Sequence, residues 1–146
     1  MGHSYHLNYA HLIFHVQTVE IRMNDMERLH DYLSGILLSR GVKRIAIGGI
    51  ENHVHILGDF PLNRAVADIV RPTKAASSFW LKGIHKRYQN FAWQAGYAYF
   101  SVSPSLYPRV ANYIAHQAEH HANMTAEEEY DRLMSKCTPF LPPDPS

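Results

Sequence analysis

The pattern of hydrophobic and polar positions at the start of the chain predicts a strand followed by a helix. Residues 5–18 are rich in β-branched and aromatic side chains and contain neither proline nor glycine, which favours a strand. Residues 26–40 carry leucines and other apolar side chains at helical spacing. We expect Asn24 or Asp25 to cap the start of this helix and Gly41 to end it.

Two short apolar segments follow the first helix and predict a hairpin. Residues 43–50 and residues 52–60 both have the composition of strands, and they adjoin each other in the chain. We expect the connection at Gly48, at Gly49 or at a nearby bulge. Strands so close in sequence pair antiparallel.

The second half of the chain predicts further helices and one short strand. Pro72 removes a backbone N–H donor, so we expect it to interrupt a helix that starts near Arg64. Pro108 is tolerated in the first turn of a later helix, because the first N–H groups of a helix have no intrahelical acceptor. The predicted elements are helical segments at 64–71 and 74–82, a loop at 83–90, a strand at 98–103, a helix from Ser105 or Leu106 to His121, and a helix from the capping residue Thr125 to about Lys136.

The predicted order of elements is strand, helix, strand, strand, helix, strand. This order is typical of the split βαβ arrangement of ferredoxin-like and RRM-like domains. We therefore predict an α+β fold with one antiparallel sheet and the helices packed on one face. Residues 1–136 are expected to form a single domain, and residues 137–146 a short proline-rich tail.

Composition indicates a protein of the reduced cytoplasm. The 146 residues are 46% hydrophobic and 12% aromatic, which is ordinary for one globular domain. Cys137 is the single cysteine, so no internal disulfide can form. The sequence contains neither a secretory signal pattern nor an apolar segment long enough to span a membrane. We expect a cytoplasmic protein without a membrane partner.

Charge is unevenly distributed along the chain although the net charge is only +1. Residues 61–97 contain six basic residues and the single acid Asp68, whereas the part after Phe100 contains three basic and six acidic residues. A polyanion would therefore meet the middle segment first, because phosphate contacts depend on local charge. The alternative is a solvated helix face without a partner.

His53 and His55 are the first candidate functional residues. Side chains two apart in a strand share a face, so the two imidazoles would lie side by side while Val54 and Ile56 point into the core. A divalent ion accepts neutral imidazole nitrogens and would need a third ligand from elsewhere. With 11 histidines in the chain, chance alone gives about 0.8 occurrences of this spacing, so two surface histidines are the alternative.

The helix after Pro108 supplies candidates for the third ligand. Residues three and four apart share a helix face, which aligns Tyr113, His116, Gln117, His120 and His121. If this helix packs on the sheet, a phenol and an amide oxygen would lie over the strand histidines. A bound divalent ion would assist phenol attack on a phosphodiester. The alternative is that Tyr113 is an ordinary core residue and the histidines are exposed.

Taken together, the motifs resemble the single-tyrosine HUH transposases of bacterial insertion sequences, particularly the REP-associated tyrosine transposases. The likeness covers nearly the whole chain. It is carried, in order, by Asn52-His-Val-His-Ile-Leu57 with Pro61, Lys74-Ala-Ala-Ser-Ser-Phe-Trp80, Trp93-Gln-Ala-Gly-Tyr97, Phe100-Ser-Val-Ser103, Tyr113-Ile-Ala-His-Gln117 and Glu119-His-His121.

The resemblance implies a metal-dependent single-strand DNA endonuclease and strand transferase acting on hairpin-bearing DNA. In that scheme His53, His55 and Gln117 hold Mg²⁺ or Mn²⁺, and Tyr113 attacks the phosphate to give a 5′-phosphotyrosine link without a nucleotide cofactor. His121 is a rival to Gln117 as the third ligand, since imidazole is the stronger ligand for transition metals. The DNA backbone would be contacted by Arg71, Lys74, Lys82, Lys86 and Arg87, and the tryptophans would more often fill core than stack on bases.

Assembly state and function class stay open at this point. Relatives of the insertion-sequence type act as homodimers with shared active sites, whereas REP-associated relatives can be monomeric. Residues 17–22 lack the basic continuation of many relatives, and the tail is short. A HIT-type nucleotide hydrolase would need a third histidine where Leu57 stands. A non-catalytic RRM-like nucleic-acid binder derived from a transposase is the main alternative.

Overall fold

The sheet and its helices follow the predicted order of elements. The computed structural model describes residue 2 and residues 4–117 and 124–137. Its regular elements are β1 Tyr9–His15, α1 Met23–Ser39, β2 Lys43–Ile50, β3 His53–Asp59, α2 Val66–Ile84, β4 Ala98–Ser101, α3 Tyr107–Ala115 and α4 Ala126–Cys137, with short 3-10 turns at Lys86–Tyr88 and Pro104–Leu106.

The four strands form one antiparallel sheet in the order β2-β3-β1-β4. Strand β1 lies between β3 and β4, neither of which is next to it in the chain. This strand order is the ferredoxin-like arrangement, so the predicted α+β fold is confirmed. The register places Ile13 opposite His55 and His15 opposite His53. Paired residues of antiparallel strands point to the same face, which makes the two faces of the sheet chemically different.

One face of the sheet is apolar and packs against α1 and α2. A single cluster of buried side chains fills this layer, and burial of such side chains stabilises the fold by about 1.5–3 kcal/mol each. It includes Leu12 and Phe14 of β1, Val54 and Ile56 of β3, Leu29, Leu33 and Leu37 of α1, and Ile69, Val70 and Leu81 of α2. The opposite face of β1 and β3 therefore carries the remaining alternate residues, which are mainly histidines.

Helix α3 lies on the histidine face, against the β2 strand, so helices cover both faces of the sheet rather than the single face predicted. A Cβ atom at Gly48 would lie 2.0 Å from the carbonyl oxygen of Ile114, so only glycine permits this approach. Ile114 itself is buried. Gly48 therefore serves helix packing. The predicted hairpin is confirmed, with its turn at Glu51 and Asn52.

Both predicted helix starts in the first half of the chain differ from the structure. Helix α1 begins at Met23 with Arg22 as its N-cap, so neither Asn24 nor Asp25 is the capping residue. The Asp25 carboxylate instead accepts hydrogen bonds from Arg22 and Tyr88. The end of α1 at Gly41, with φ of +93°, was predicted. Helix α2 begins at Val66 rather than at Arg64.

The predicted interruption at Pro72 is wrong, because α2 continues through it. Proline deprives the carbonyl of Asp68, four residues earlier, of its helical donor. Asp68 is exposed, so water can satisfy that carbonyl. The hydroxyl of Thr73 donates to the Ile69 carbonyl at 2.7 Å, and burial of the α2 apolar face offsets the cost of about 3 kcal/mol that proline imposes in a helix interior.

The remaining boundaries differ mainly at strand and helix ends. Strand β1 is shorter than predicted, and β4 ends at Ser101. The predicted long helix to His121 ends as α3 at Ala115, and residues 118–123 lie outside the described part of the chain. The cap of α4 is confirmed, since the Glu128 N–H donates to the Thr125 hydroxyl at 3.1 Å. No described helix is long and apolar enough to cross a membrane.

Candidate functional site

His53 and His55 lie side by side on β3, on the face opposite the apolar core. Both side chains are fully buried, and their ring centroids are 4.9 Å apart. Val54 and Ile56 point into the core cluster, as the alternation predicts. Burial excludes the alternative of two surface histidines. Two buried imidazoles need polar partners, and the structure supplies them from three other elements.

Helix α3 brings Tyr113 to these histidines within one chain. The Tyr113 ring centroid lies 6.0 Å from that of His55. The helix reaches this position because Ile114 packs closely on Gly48 of β2. The predicted juxtaposition of a phenol with the strand histidines is therefore present in the structure.

Glu129 of α4 completes the cluster and was missed by the sequence analysis. Its Oε1 lies 3.1 Å from His53 Nε2 and 2.8 Å from His55 Nε2, and its Oε2 accepts a hydrogen bond from the Tyr113 hydroxyl. The side chain is buried. Glu129 is the last of three consecutive glutamates, which hid it among residues expected to be solvated. The available signal was its position one turn before Leu133, on the same helix face.

Two titratable groups in the cluster have strongly shifted pKa values. Burial raises the pKa of the Tyr113 phenol well above its ordinary value of 10, and the hydrogen bond to Glu129 adds to the effect, so the phenol is protonated at neutral pH. Burial alone would raise the pKa of Glu129, but the hydrogen bonds and charge of the histidines hold it far below its usual range. Glu129 is therefore an ionised carboxylate.

The neighbours of the two histidines determine which ring nitrogens are available. Asn52 Oδ1 lies 2.7 Å from His53 Nδ1, and a carbonyl oxygen only accepts, so Nδ1 carries the proton. In neutral His53 the lone pair of Nε2 then faces the carboxylate oxygen of Glu129. That contact requires a proton or a metal ion between the two atoms.

His11 holds the second imidazole. Its Nε2 lies 2.6 Å from His55 Nδ1. Burial lowers the pKa of His11 to about 3, with the charge of His55 contributing in the same direction, so His11 is neutral at physiological pH. A neutral ring at this position fixes the orientation of His55 and leaves its Nε2 directed at Glu129.

Gln117, the predicted third ligand, is buried just beyond the end of α3 at Ala115. Its side chain is only 2% exposed, and neither its amide oxygen nor its amide nitrogen has a hydrogen-bond partner of good geometry within the described residues. It nevertheless lies close enough to lower the pKa of Tyr113. A buried orphaned amide costs free energy unless something binds it. His116 is exposed and faces the Asn112 carbonyl, and His120 and His121 lie outside the described residues.

The cluster fits a metal ion by its donor atoms. One ligand atom each from His53, His55 and Glu129 lie within 4.8 Å of one another, and all three side chains are buried. Neighbouring ligands of an octahedral ion with bonds of about 2.1 Å are separated by about 3 Å, which matches the contacts of Glu129 with both imidazoles. These three residues could hold a divalent metal ion.

The five predicted DNA-contacting cations lie elsewhere in the fold. Helix α2 packs on the sheet face opposite the histidines. Three of the five cations, Arg71, Lys74 and Lys82, belong to this helix. Lys74 donates to the carbonyls of Gln94 and Gly96, while Arg71 pairs with Asp68. The other three, Lys82, Lys86 and Arg87, are exposed. Trp93 is part of the core cluster, as expected for the tryptophans.

Comparisons with known proteins match this chain to one family model and to two solved structures. The family model described as "Transposase IS200 like" matches residues 4–117, more than half of the chain. A crystal structure from Deinococcus radiodurans R1, provisionally described as a transposase, has a TM-score of 0.60 and 20% identity over 78% of this chain and 94% of that one. A REP-associated tyrosine transposase bound to a REP hairpin has a TM-score of 0.56 and 13% identity over 78% of this chain and 70% of that one.

The search of curated protein sequences finds no match. The two solved structures share the fold at low identity, and the family model covers both the strand histidines and Tyr113. The resemblance drawn from the sequence motifs is thereby confirmed. The chain belongs to the family of IS200-like transposases, and its activity is of the transposase kind.

Proposed function

We propose that this chain is a metal-dependent single-strand DNA endonuclease and strand transferase in which Tyr113 is the nucleophile. The observation that carries the proposal is the shared carboxylate of Glu129, which contacts both strand imidazoles and the Tyr113 hydroxyl. A candidate nucleophile and a candidate metal site thus meet at one buried residue. Proximity of this kind is what a covalent transfer needs.

In the proposed reaction the Tyr113 oxygen attacks a phosphodiester of single-stranded DNA. A bond forms between that oxygen and phosphorus, the bond from phosphorus to the 3′ oxygen breaks, and the phenol proton ends on the 3′ oxygen. The products are a 5′-phosphotyrosine link and a free 3′-hydroxyl. Rejoining reverses these steps. The phosphotyrosine link conserves the free energy of the cleaved phosphodiester bond, so no nucleotide cofactor is consumed.

Glu129 orients the phenol by accepting its hydrogen bond; it is not a strong base, because its pKa is held far below its usual range. The phenol stays protonated at neutral pH because its pKa is raised, and Glu129 accepts its hydrogen bond. His53 and His55 keep the carboxylate in place through Oε1, while Oε2 faces the phenol. His11 and Asn52 orient the two imidazoles from behind.

His53, His55 and Glu129 would hold Mg²⁺ or Mn²⁺, and we propose the amide oxygen of Gln117 as a further donor. When bound, such an ion polarises the phosphate and stabilises the charge that develops during attack. Since Tyr113 lies beside His55 of its own chain, the proposed reaction needs no second copy. A homodimer that shares its sites therefore remains a separate proposal.

Hairpin-bearing DNA is the proposed substrate. The fold is shared with a REP-associated tyrosine transposase bound to a REP hairpin. The exposed cations Arg71, Lys82, Lys86 and Arg87, and Lys74 beside them, are proposed to contact the flanking backbone from the α2 side of the molecule. DNA that reaches both α2 and Tyr113 would have to pass around an edge of the sheet.

The test is a covalent adduct assay with Mn²⁺ and hairpin oligonucleotides taken from the DNA beside the gene. A 3′-end label is expected to move onto the protein, and a 5′-end label is expected to stay on a free fragment. The adduct should vanish in Tyr113→Phe and persist in Tyr107→Phe, a matched loss of a hydroxyl on the same helix whose own bond is to the Arg44 carbonyl. An adduct in Tyr113→Phe, or DNA binding without any adduct, would refute the proposal and favour the non-catalytic binder.

A further inference from the structure

A pocket between α3 and α4 adjoins Tyr113 and reaches the histidine cluster at His11. Its volume is about 310 Å³, and its wall includes Tyr113 and Glu129. His11 belongs to the same lining. Beyond these three residues, the lining combines three cations with two apolar side chains, namely Arg109, Arg132, Lys136, Val110 and Leu133. The function proposed above assigns no role to any of these five residues.

Helix geometry directs the cations and the nucleophile into one space. Arg109 precedes Tyr113 by four residues on α3, so the two share a face. On α4, Arg132 follows Glu129 by three residues and Lys136 follows Arg132 by four, which places all three along one stripe. The charge of Arg132 reaches Tyr113, since it lowers the pKa of that phenol.

Among the side chains that the structure describes, the three cations have no ion-pair partner. The nearest carboxylate in the lining, Glu129, is engaged by two imidazoles and a phenol. Like charges one turn apart on a helix repel each other. An anion in the pocket would relieve that repulsion, and phosphate is the anion that arginine and lysine bind best.

The volume of the pocket and the apolar part of its lining indicate a ligand of the size of one nucleotide. A volume of about 310 Å³ is at the lower end of the range for small-molecule pockets. Val110 and Leu133 are half-buried and offer apolar contact to a sugar or a base, while the cations lie at the exposed side. A single metal-bound phosphate would leave the apolar walls unused, and a duplex would not enter.

We infer that this pocket binds the nucleotide next to the scissile phosphate of a single DNA strand, with Arg109, Arg132 and Lys136 contacting its phosphates. The inference rests on the proposed function and adds a subsite to it. Because Tyr113 forms one wall, a nucleotide held here brings the adjoining phosphodiester to the phenol. The pocket therefore sets which bond of the strand is attacked.

The test measures binding of thymidine 3′,5′-bisphosphate to the full-length protein by NMR titration, without divalent ions. The charge-removing double variant is Arg132→Gln with Lys136→Gln. Its matched control is Arg40→Gln with Lys43→Gln, which removes one arginine and one lysine from exposed positions outside the pocket. Loss of two exposed phosphate contacts is expected to weaken binding about tenfold in the pocket variant and to leave the control unchanged.

Thymidine without phosphates serves as the second ligand, and it should bind both variants equally weakly. Equal affinity of the wild type and the pocket variant for the bisphosphate would overturn the inference, as would absence of bisphosphate binding to the wild type. This readout involves no cleavage. Bisphosphate binding that depends on Arg132 and Lys136, in a protein that forms no adduct, would refute strand transfer alone; adduct formation with unchanged bisphosphate binding would refute the pocket alone.

Discussion

The hydroxyl of Tyr113 donates a hydrogen bond to Oε2 of Glu129, and the two residues are sixteen positions apart on successive described helices. The other oxygen of the same carboxylate contacts His53 and His55. One side chain thus links the candidate nucleophile to the candidate metal ligands. Removing its charge should affect both, whereas removing a neighbouring glutamate should affect neither.

Glu129→Gln is expected to weaken Mn²⁺ binding by about 100-fold. This is the upper end of the loss in metal affinity that follows mutation of a residue hydrogen-bonded to a metal ligand. The substitution keeps the shape of the side chain but removes the negative charge that divalent ions prefer. Titration followed by electron paramagnetic resonance measures free Mn²⁺ directly. Glu128→Gln is the control, since Glu128 is exposed on the same helix. Equal Mn²⁺ affinity in both variants would show that Glu129 is not a ligand.

The sequence predicted the parts of this site that obey short periodicities. The shared face of His53 and His55 follows from the strand period, and the position of Tyr113 follows from the helix period. Gln117 does not follow from the helix period, because it lies beyond the end of α3 at Ala115. Glu129 obeys neither rule with respect to the histidines, since it lies 76 residues from His53. Its role depends on where α4 packs. Local patterns do not encode such packing, and three consecutive glutamates ordinarily indicate a solvated face.

Gln117→Met should separate stability from metal binding. Methionine has a similar length but no polar atoms that need partners, and a buried unsatisfied amide costs about 1–3 kcal/mol. We therefore expect the metal-free variant to unfold at a higher temperature than the wild type. Its Mn²⁺ affinity should fall, because the amide oxygen is lost as a donor.

Thermal unfolding with EDTA and with excess Mn²⁺ provides both readouts for Gln117→Met. The wild type should gain more stability from Mn²⁺ than the variant does, because a ligand stabilises the state that binds it. A variant that is less stable without metal would mean that the amide has a partner in the folded protein. Unchanged stabilisation by Mn²⁺ would exclude Gln117 as a ligand.

Gly48→Ala should displace α3 and with it Tyr113. The new Cβ would lie 2.0 Å from the carbonyl oxygen of Ile114 and 2.8 Å from its carbonyl carbon, and both are backbone atoms that cannot move without the helix. We expect Tyr113 adduct formation to be lost and the free energy of unfolding to fall by about 1–3 kcal/mol, as in other overpacked sites. Adduct yield and urea unfolding measure the two effects.

Gly35→Ala is the matched control for that substitution. A Cβ at Gly35 would have no neighbour within 4 Å, and the residue lies in the interior of α1. Alanine there should stabilise the protein by about 0.5–1 kcal/mol and leave adduct formation unchanged. If Gly48→Ala behaved like Gly35→Ala, the close packing of α3 on β2 would not be required for the site.

Counting charges along the chain located only some of the exposed cations, because the count does not include how the helices pack. The count favoured residues 61–97 and gave the last part of the chain a net negative charge. Helix packing instead gathers Arg109, Arg132 and Lys136 beside Tyr113, in a pocket whose lining also includes Glu129. Pro72 shows the same limit, because tertiary burial of α2 outweighs a local rule.

Asp25 is expected to make the stability of the fold dependent on acid pH. Its carboxylate accepts hydrogen bonds from Arg22 at 2.8 Å and from the buried Tyr88 hydroxyl at 2.6 Å. The Arg22 hydrogen bond lowers the pKa of Asp25, against the opposing effect of burial and with help from Tyr88. A lowered folded-state pKa means that the unfolded chain takes up the proton first as pH falls. The contribution of Asp25 is therefore full above about pH 4 and is lost as pH falls further, through the folded-state pKa.

Asp25→Asn should lower the free energy of unfolding at pH 7 by about 1–2 kcal/mol, because a charge-assisted hydrogen bond becomes a neutral one. Its stability should also decline less than that of the wild type between pH 4 and lower pH, since the titrating group is gone. Urea unfolding at a series of pH values measures both effects. Glu27→Gln, at an exposed position of the same helix, is expected to leave both unchanged. Parallel acid declines in the wild type and Asp25→Asn would show that Asp25 titrates alike in the folded and unfolded chains.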